Sequence, residues 1–396
     1  MDDLCLQPNT WIDVDSGALT HNISVLRIAS RRAGGDPILC VMVKGNAYGH
    51  GLVPTARVLL AAGVHWLAVH DIFEVQTLRE AGLTAPIYVV GYLSPAQARA
   101  AVRLDARFVL YDGAVLAAAA DEALRLGQVA RVHVKIETGN NRQGLRHDAA
   151  LTLCQCVART PGAVLEGLAT HFADIEDTTD HRFANSQLER FRHTVDAIHA
   201  ELGLTERLLV HASNSAALLL WPDVVGRMAR FGIAAYGLWP SKETWLSVCQ
   251  LGQKPVELRP ALTWKTVIAQ IHEVPPGEYV GYGRTWRAVR PTRVAVLPIG
   301  YYDGYDRGLS NLAKVLIGGV RAPVIGRVAM NMTMVDVTDN AAAEVGREVV
   351  LLGEQRTPDG SDGDHVSADE MAAWLGTIHY EVVTRIAERI ERRVVG

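Results

Sequence analysis

The chain has 396 residues, of which 49% are hydrophobic, and its formal net charge is −4. This length favours two domains, and the apolar content excludes a largely disordered protein. With no long basic block in the sequence, a protein that binds nucleic acid or an anionic membrane surface is a poor hypothesis.

The cysteines and the N-terminus bear on the cellular compartment. The five cysteines are odd in number, and Cys154 and Cys156 have no second Cys or His pair at zinc spacing. We therefore expect reduced thiols and no metal site. The first residues lack the basic and apolar regions of a signal peptide, and no apolar run reaches the length of a membrane span. These features favour a cytoplasmic protein.

Strand-length apolar runs alternate with helical segments over more than half of the chain. Residues 11–15 alternate like a half-exposed strand. The runs that follow lie at 38–43, 65–70, 87–90, 108–111, 131–136, 164–171, 208–211 and 226–233. Strands that alternate with helices indicate a parallel sheet, and this number of units predicts a closed (β/α)8 barrel of the TIM type. An open doubly wound sheet is the alternative.

After about residue 245 the pattern changes to alternating strands separated by Gly and Pro turns. These strands are predicted at 263–270, 293–298, 314–317, 333–337 and 348–352. Ser367 and Glu370 then have capping-box spacing at the start of a final helical part. We expect a barrel domain at 1–247 and a mostly antiparallel β domain at 248–396, with strand 11–15 a candidate to pack against the second domain.

Lys44 follows the first apolar run directly and is followed at once by glycine. A lysine at the carboxyl end of a buried strand lies where the active sites of parallel α/β proteins form. Desolvation there would let it act as an amine nucleophile or base. A lysine that ends a strand and reaches water is the alternative.

Residues 43–51 read Val-Lys-Gly-Asn-Ala-Tyr-Gly-His-Gly and closely resemble the signature of alanine racemases, which are barrel-fold enzymes that use pyridoxal 5′-phosphate (PLP). The resemblance implies that Lys44 binds PLP covalently and that Tyr48 binds the cofactor's phosphate. Most members of the family have Ala where this chain has Gly45.

Residues 135–144 resemble the second signature of the same family. The resemblance implies that Arg142 contacts the phenolic oxygen of PLP and the substrate carboxylate. It also implies that Lys135, which is often carbamylated in the family, holds that arginine. A chloride ion or a plain ion pair are alternatives to the carbamate. From residue chemistry alone, an arginine in a Gly-rich loop suits a carboxylate, and an ordinary surface arginine is the alternative.

Three more motifs, at 170–173, 211–215 and 230–233, match the family. The match implies that His171 lies against the PLP ring and that Arg230 faces the pyridine nitrogen. The cofactor's phosphate would lie near Asn214, Ser215, Gly232 and Ile233. Because arginine is always charged and accepts no proton, the ring nitrogen should stay unprotonated, which favours racemisation over transamination.

The second domain supplies the remaining matches. Tyr282, within 279–286, resembles the second acid–base group of the family, opposite Lys44. In relatives it enters from the other subunit, which implies a head-to-tail homodimer with a shared active site. Tyr301 would line the substrate entrance, and Met330 and Asn331 would bind the substrate carboxylate.

Three residues depart from the family pattern. Ala329 and Asn331 replace a Cys or Ser and an Asp, and Glu388 lies near a position where some relatives have a phosphate-contacting tyrosine. These changes bring strict alanine preference into question. The sequence as a whole predicts a PLP-dependent, two-base racemase acting on a small amino acid, first of all L-alanine to D-alanine. A broader or serine-preferring racemase, a PLP-dependent decarboxylase and a non-catalytic PLP-binding barrel are the alternatives.

Overall fold

The computed structural model describes residues 8–31, 36–203, 208–224 and 226–396, which form two compact units. The barrel unit lies within residues 17–47 and 52–259, and the β unit comprises residues 8–16, 48–51 and 260–396. The division therefore falls after residue 259 rather than after residue 247, because the helix Lys242–Gln250 packs against the barrel helix Ser215–Leu220.

The strand β1 (Thr10–Asp15) belongs to the β unit, and the eight strands that follow form one parallel sheet. These strands are β2 (Ile38–Met42), β3 (Trp66–Val69), β4 (Ile87–Val89), β5 (Ala106–Leu110), β6 (Ala130–Lys135), β7 (Ala163–Ala169), β8 (Leu209–His211) and β9 (Met228–Phe231). Neighbours in sequence pair from β2 to β8, and β2 also pairs with β9. Because the first strand thus lies beside the last, the barrel prediction is confirmed and the open doubly wound alternative is wrong.

The barrel has one seam. Among the described residues no backbone ladder joins β8 to β9. Instead, the Ser213 hydroxyl accepts a hydrogen bond from the Arg230 N–H (2.9 Å) and donates one to the Arg230 carbonyl (3.2 Å). A side chain therefore takes the place of a ladder at this point and fixes the backbone of Arg230.

Helices connect the barrel strands, and several begin at a capping side chain. The α-helices of this part of the chain are Ser16–Ala29, Leu52–Ala61, Ile72–Glu80, Pro95–Arg103, Gly113–Leu126, His147–Arg159, Arg182–Leu202, Ser215–Leu220 and Lys242–Gln250, with 3₁₀ turns at Pro222–Val224 and Ile233–Tyr236. Ser94 caps the helix Pro95–Arg103, with Pro95 in the first helical position, and forms a full capping box with Gln97. No helix in the described ranges is long and apolar enough to cross a membrane.

The β unit contains a seven-stranded, a three-stranded and a two-stranded sheet. Its remaining strands are β10 (Leu262–Val267), β11 (Gln270–Val274), β12 (Tyr279–Val280), β13 (Trp286–Arg287), β14 (Thr292–Leu297), β15 (Lys314–Ile317), β16 (Val320–Pro323), β17 (Thr333–Asp336), β18 (Glu348–Gln355), β19 (Asp364–Val366) and β20 (Glu391–Val395). The large sheet runs β16-β15-β18-β10-β1-β20, with β19 beside β18, and within the described ranges only β1 and β20 of this sheet pair in parallel. The unit is therefore mostly antiparallel, as predicted.

Two local predictions in the β unit need correction. The strand predicted at 263–270 is divided, because β10 ends at Val267 and the chain enters a different sheet at β11. Ser367 does cap the helix Ala368–Leu375, but the Glu370 carboxylate pairs with Arg321 of β16 (2.5 Å). The Glu370 side chain thus forms an ion pair with a distant strand, although its spacing from Ser367 predicts a hydrogen bond to the N–H of the cap residue. The other helical segments of this unit are the α-helix His379–Thr384 and 3₁₀ turns at Tyr282–Arg284, Tyr301–Asp303 and Arg307–Leu309.

Candidate active site

Lys44 lies at the carboxyl end of β2, where the backbone leaves the barrel in a left-handed turn. The Val43 N–H still donates to the Ala68 carbonyl of β3 (2.7 Å). The next residues then have positive φ angles of 63° at Gly45, 54° at Asn46 and 53° at Ala47. The structure therefore places Lys44 where strand end and turn meet, as the sequence predicted.

Gly45 is suited to this turn because glycine adopts positive φ without the clash that a Cβ causes. We expect Gly45→Ala to lower the free energy of unfolding by about 1 kcal/mol, since a left-handed L-residue costs about 1–2 kcal/mol. Urea unfolding of the two proteins measures the difference. Gly113→Ala is the control: it begins a helix and a Cβ there meets no atom within 4 Å, so a stability equal to or above that of the parent is expected. Equal losses in both variants would contradict the prediction.

The Lys44 amine is partly buried among charges of its own sign. Burial, followed by the positive charges of Arg142 and Arg230, lowers the pKa of Lys44 below its usual value, and the Glu74 carboxylate opposes this change. A lowered pKa leaves more of the amine neutral near pH 7, and the neutral amine is the form that attacks an aldehyde or accepts a proton.

Arg142 and Lys135 are joined through one loop. The loop after β6 is closed by hydrogen bonds from the Leu145 N–H to the Lys135 carbonyl (2.9 Å) and from the Glu137 N–H to the Leu145 carbonyl (2.8 Å). Gly144 has a φ of 124°, and a Cβ there would lie 2.9 Å from Lys135 Cγ, so this loop needs glycine at that point. The loop thereby holds Arg142 within electrostatic range of Lys135.

Lys135 lies inside the barrel. Burial, then the charges of Arg230 and Arg142, holds the pKa of its amine well below the usual range, against the weaker pull of Glu137. The neutral, nucleophilic form of this amine is therefore favoured relative to that of an exposed lysine. The family resemblance implied that Lys135 holds Arg142, and its burial is a property that the sequence did not show.

His171 follows β7 in the same environment. Burial, followed by the charge of Arg230, holds the pKa of its imidazole well below the usual range, with smaller contributions from Lys135, Arg142 and Lys44. The ring is therefore neutral. Its Nδ1 is buried and has no hydrogen-bond partner within the described part of the chain, which leaves a polar atom that a ligand would satisfy.

A chain of hydrogen bonds fixes the side chain of Arg230. Its Nη2 donates to the Thr170 carbonyl (3.0 Å), and its Nε donates to His211 Nδ1 (3.4 Å). His211 Nε2 then lies 2.8 Å from His133 Nδ1, and His133 Nε2 lies 3.2 Å from the Glu166 carboxylate. Because Arg230 only donates, both rings are assigned the neutral tautomer with hydrogen on Nε2, and burial lowers the pKa of each imidazole.

The predicted phosphate residues converge at the start of the helix Ser215–Leu220, although one of them has another task. Ser215 Oγ accepts hydrogen bonds from the N–H groups of Gly232 (3.0 Å) and Ala234 (3.3 Å), next to Ile233. The side-chain oxygen of Asn214 instead caps the helix through the Ala217 N–H (2.8 Å). The structure thus brings Ser215 and Gly232 together and gives Asn214 a structural role as N-cap.

The electrostatics of the barrel unit favour an anionic ligand. The charges of Arg142 and Arg230 disfavour the cationic form of both Lys44 and Lys135. A negative charge placed among these four groups would therefore reduce the repulsion between them. Ser215 and the backbone around Gly232 add hydrogen-bonding groups that suit a phosphate. The four groups concerned are Lys44, Lys135, Arg142 and Arg230. This set fits PLP, which carries a phosphate and a phenolic oxygen.

Tyr282 is presented on the β unit by a turn that requires glycine on both sides. It begins the 3₁₀ turn between β12 and β13, and its side chain is 72% exposed. Gly281 has a φ of 74°, and a Cβ there would lie 2.8 Å from Met334 Cε. Gly283 has a φ of 70°, and a Cβ there would lie 3.0 Å from Arg327 Cζ. These two glycines explain the motif around Tyr282 in physical terms.

The other predicted residues of the β unit meet at one backbone junction. The Tyr301 N–H donates to the Ala329 carbonyl (3.0 Å), and the Tyr302 N–H donates to the Met330 carbonyl (3.0 Å). Tyr301 and Met330 are 43% and 54% exposed, and Asn331 is also exposed. The structure therefore brings together Tyr301 and the 329–331 segment, which are well separated in sequence.

Tyr48 lies in the segment 48–51 of the β unit and is buried there. Its ring centroid is 6.2 Å from that of Tyr380, a residue that the sequence analysis missed. Glu388 is exposed, and its carbonyl accepts a hydrogen bond from Arg392 (2.8 Å). The aromatic neighbour of Tyr48 in the described residues is therefore Tyr380.

Comparison with known proteins agrees with this picture. The alanine racemase N-terminal domain matches residues 14–240, and the alanine racemase C-terminal domain matches residues 261–394. This chain belongs to the alanine racemase family. The alanine racemase of Symbiobacterium thermophilum is 41% identical over 386 residues, which are 97% of this chain and 96% of that protein. That of Desulfovibrio desulfuricans is 39% identical over 96% of this chain and 97% of its own length.

The fold leads to the same family. The solved alanine racemase of Clostridium difficile 630 matches with a TM-score of 0.88 and 31% identity, over 98% of this chain and 96% of that one. The family that residues 43–51 and 135–144 indicated is thereby confirmed. The roles of single residues stay predictions, and the geometry supports them most strongly for Lys44, Arg142 and Arg230, which share one electrostatic environment.

Proposed function

We propose that this chain is a PLP-dependent racemase of a small amino acid, with alanine as the preferred substrate. The observation that carries the proposal is a desolvated Lys44 amine at the carboxyl end of a barrel strand, close to the charges of Arg142 and Arg230. When bound, PLP supplies a conjugated ring that withdraws electrons from the Cα–H bond of the substrate. The names of relatives up to 41% identical support alanine.

The residues of the barrel unit divide the binding of the cofactor among them. Lys44 would bond to its aldehyde carbon, and the groups around Ser215 and Gly232, with Ile233 and Asn214, would hold its phosphate. Tyr48, which belongs to the β unit, would also bind the phosphate. Arg230 is held by Thr170 and His211, and it would face the ring nitrogen without giving it a proton. The neutral His171 would lie against the ring, and Arg142 would bind the phenolic oxygen and the substrate carboxylate.

Two groups would move the proton, one on each face of the substrate. Lys44 Nζ would take or return the α-proton on one face, and the Tyr282 hydroxyl would do so on the other. We infer that Tyr282 is supplied by a second subunit, because an exposed aromatic at this position is typical of an interface residue. Other large exposed side chains of the β unit are Tyr279, Tyr301, Tyr302, Met330 and Met332. A homodimer with a shared active site accounts for this exposure.

We also propose that Lys135 is carbamylated. A neutral buried amine is the form that adds CO2, and the resulting anion would lie within range of Arg142 and Arg230. Protein prepared in 13C-bicarbonate should show a carbamate carbon signal in NMR, and Lys135→Arg should lack it. Removal of CO2 should lower activity, and bicarbonate should restore it. Full activity in CO2-free chloride buffer would favour a chloride ion, and full activity without either ion would favour a plain ion pair.

The test of the activity is direct. The purified protein is incubated with PLP and one L-amino acid in deuterated water, and the products are separated by chiral chromatography and weighed by mass spectrometry. D-alanine with an α-deuterium, formed with a higher kcat/KM than any other product, is expected. Faster turnover of serine would show a serine-preferring racemase, since Ala329 and Asn331 alter the substrate side. Release of CO2 would show a decarboxylase, and binding of PLP without turnover would show a non-catalytic barrel.

A further inference from the structure

Glu74 connects the carboxyl ends of two neighbouring barrel strands. One carboxylate oxygen accepts a hydrogen bond from the Gly45 N–H (2.8 Å), and the other accepts one from the His70 N–H (2.7 Å). Gly45 follows Lys44 just beyond β2, and His70 follows β3. A single side chain thus joins the turn that carries Lys44 to the adjacent strand.

Glu74 reaches this position from the first turn of a helix. Asp71 caps the helix Ile72–Glu80 by accepting hydrogen bonds from the N–H groups of Phe73 (2.9 Å) and Glu74 (3.1 Å). A glutamate three residues after the cap commonly turns back to the N–H of the cap residue itself. Here the Asp71 N–H also contributes such a hydrogen bond, and the carboxylate reaches further, to the N–H groups of His70 and Gly45. Asp71 fixes the start of the helix, and the Glu74 carboxylate bonds to the turn that follows Lys44.

The Lys44 turn depends on contacts of this kind. Asn46 and Ala47 have left-handed backbones, which L-residues adopt unfavourably and keep only where the surroundings hold them. The Asn46 side chain accepts a hydrogen bond from the Leu52 N–H (2.7 Å) and fixes one end of the turn. Glu74 fixes the other end, directly after Lys44.

The charge of Glu74 also matters for Lys44. The groups that act on the amine are Arg142 and Arg230, which disfavour its cationic form, and Glu74, which favours it. His171 lies within the same range and is neutral. Glu74 is therefore the acidic group that counters the two arginines at this amine.

We propose that Glu74 is a positioning residue for Lys44: it fixes the backbone from which the lysine side chain leaves β2 and balances the positive charges around its amine. The inference rests on the proposed function, in which that amine binds PLP. Glu74 acts through the turn and its charge, without contact to the substrate.

Two variants separate the two parts of this role. Glu74→Gln keeps the length of the side chain but removes the charge and places an amide N–H₂ against a backbone donor. Glu74→Asp keeps the charge but shortens the reach. Glu80→Gln, on the exposed side of the same helix, is the matched control, since its carboxylate contacts only the neighbouring Gln76 among the described residues. Thermal unfolding followed by circular dichroism checks that each variant folds.

The first readout uses protein without cofactor. Lys44 is acetylated with acetic anhydride over a range of pH, and its labelling is quantified by peptide mass spectrometry. In Glu74→Gln the labelling midpoint should move to lower pH, and binding of added PLP, followed by absorbance, should be slower than in the parent. With PLP bound, kcat should fall by about 10- to 100-fold, because small misplacements of a reacting group have effects of this order, while KM for alanine changes little. Glu80→Gln should match the parent throughout.

A Glu74→Gln protein with the parent's Lys44 labelling curve and PLP binding rate would overturn the proposal. If Glu74→Gln does not fold, Glu74→Asp decides: slower PLP binding at an unchanged labelling midpoint supports the positioning role, and a parent-like binding rate overturns it. An inactive parent enzyme would refute the proposed racemase function, but the labelling experiment would still report on Glu74 and Lys44.

Discussion

Replacing Lys44 with alanine is expected to abolish both covalent attachment of PLP and racemisation. The amine is the group that would bond to the cofactor and the base on one face of the substrate, so kcat should fall by at least about 10³-fold. Borohydride reduction of the parent enzyme with PLP should leave the added mass on the peptide that contains Lys44. The same treatment of Lys44→Ala should leave that peptide unlabelled.

Lys254→Ala is the control for this experiment, because Lys254 is an exposed lysine of the barrel unit. It should retain the parent's activity and its reducible label. A PLP adduct on any other lysine, or full racemisation by Lys44→Ala, would show that the cofactor is bound elsewhere.

Replacing Tyr282 with phenylalanine should impair the two directions of racemisation unequally. Without the hydroxyl, one face of the substrate loses its proton donor and acceptor, and kcat for interconversion should fall by about 10²- to 10⁴-fold. Lys44 would still exchange the α-proton on its own face. Nuclear magnetic resonance in deuterated water should therefore show deuterium entering one enantiomer much faster than the other.

Tyr279→Phe is the matched control, since Tyr279 is another exposed tyrosine of the same hairpin, at 49%. It should racemise alanine like the parent. Mixing the Lys44→Ala and Tyr282→Phe proteins under conditions of subunit exchange tests the shared site: heterodimers should regain activity that neither protein has alone, because one of their two sites is intact. No recovery in confirmed heterodimers would place both residues in the same subunit.

The barrel could be predicted from the sequence because its information is local. Parallel strands buried on both faces are continuous apolar runs, and each is followed by a helical segment with its own caps, as at Ser94 and Pro95. In the β unit the predicted strand at 314–317 coincides with β15, an antiparallel strand whose apolar residues are also consecutive in the sequence. The boundary between the units could not be predicted, because it depends on which core the helix Lys242–Gln250 packs against.

The candidate site was predicted in part. Motifs that combine a strand end with glycine located Lys44 and Arg142, since glycine marks the turns that a protruding side chain needs. The residues that pack against or hydrogen-bond to the predicted site residues were not predicted. His133 and Tyr380 come from other elements and carry no local pattern that distinguishes them from ordinary core residues.

The sequence by itself determined the order of strands and helices, the second β-rich unit and the lysine at the mouth of the barrel, because each of these is expressed in the spacing of neighbouring residues. Only the tertiary structure decided that Glu74 bonds to the turn after Lys44, that Glu370 leaves its own helix start for Arg321, and that burial among arginines lowers the pKa of Lys135. Hydrogen bonds, charge and burial act through space, and distances between separate elements of the chain exist only once it has folded.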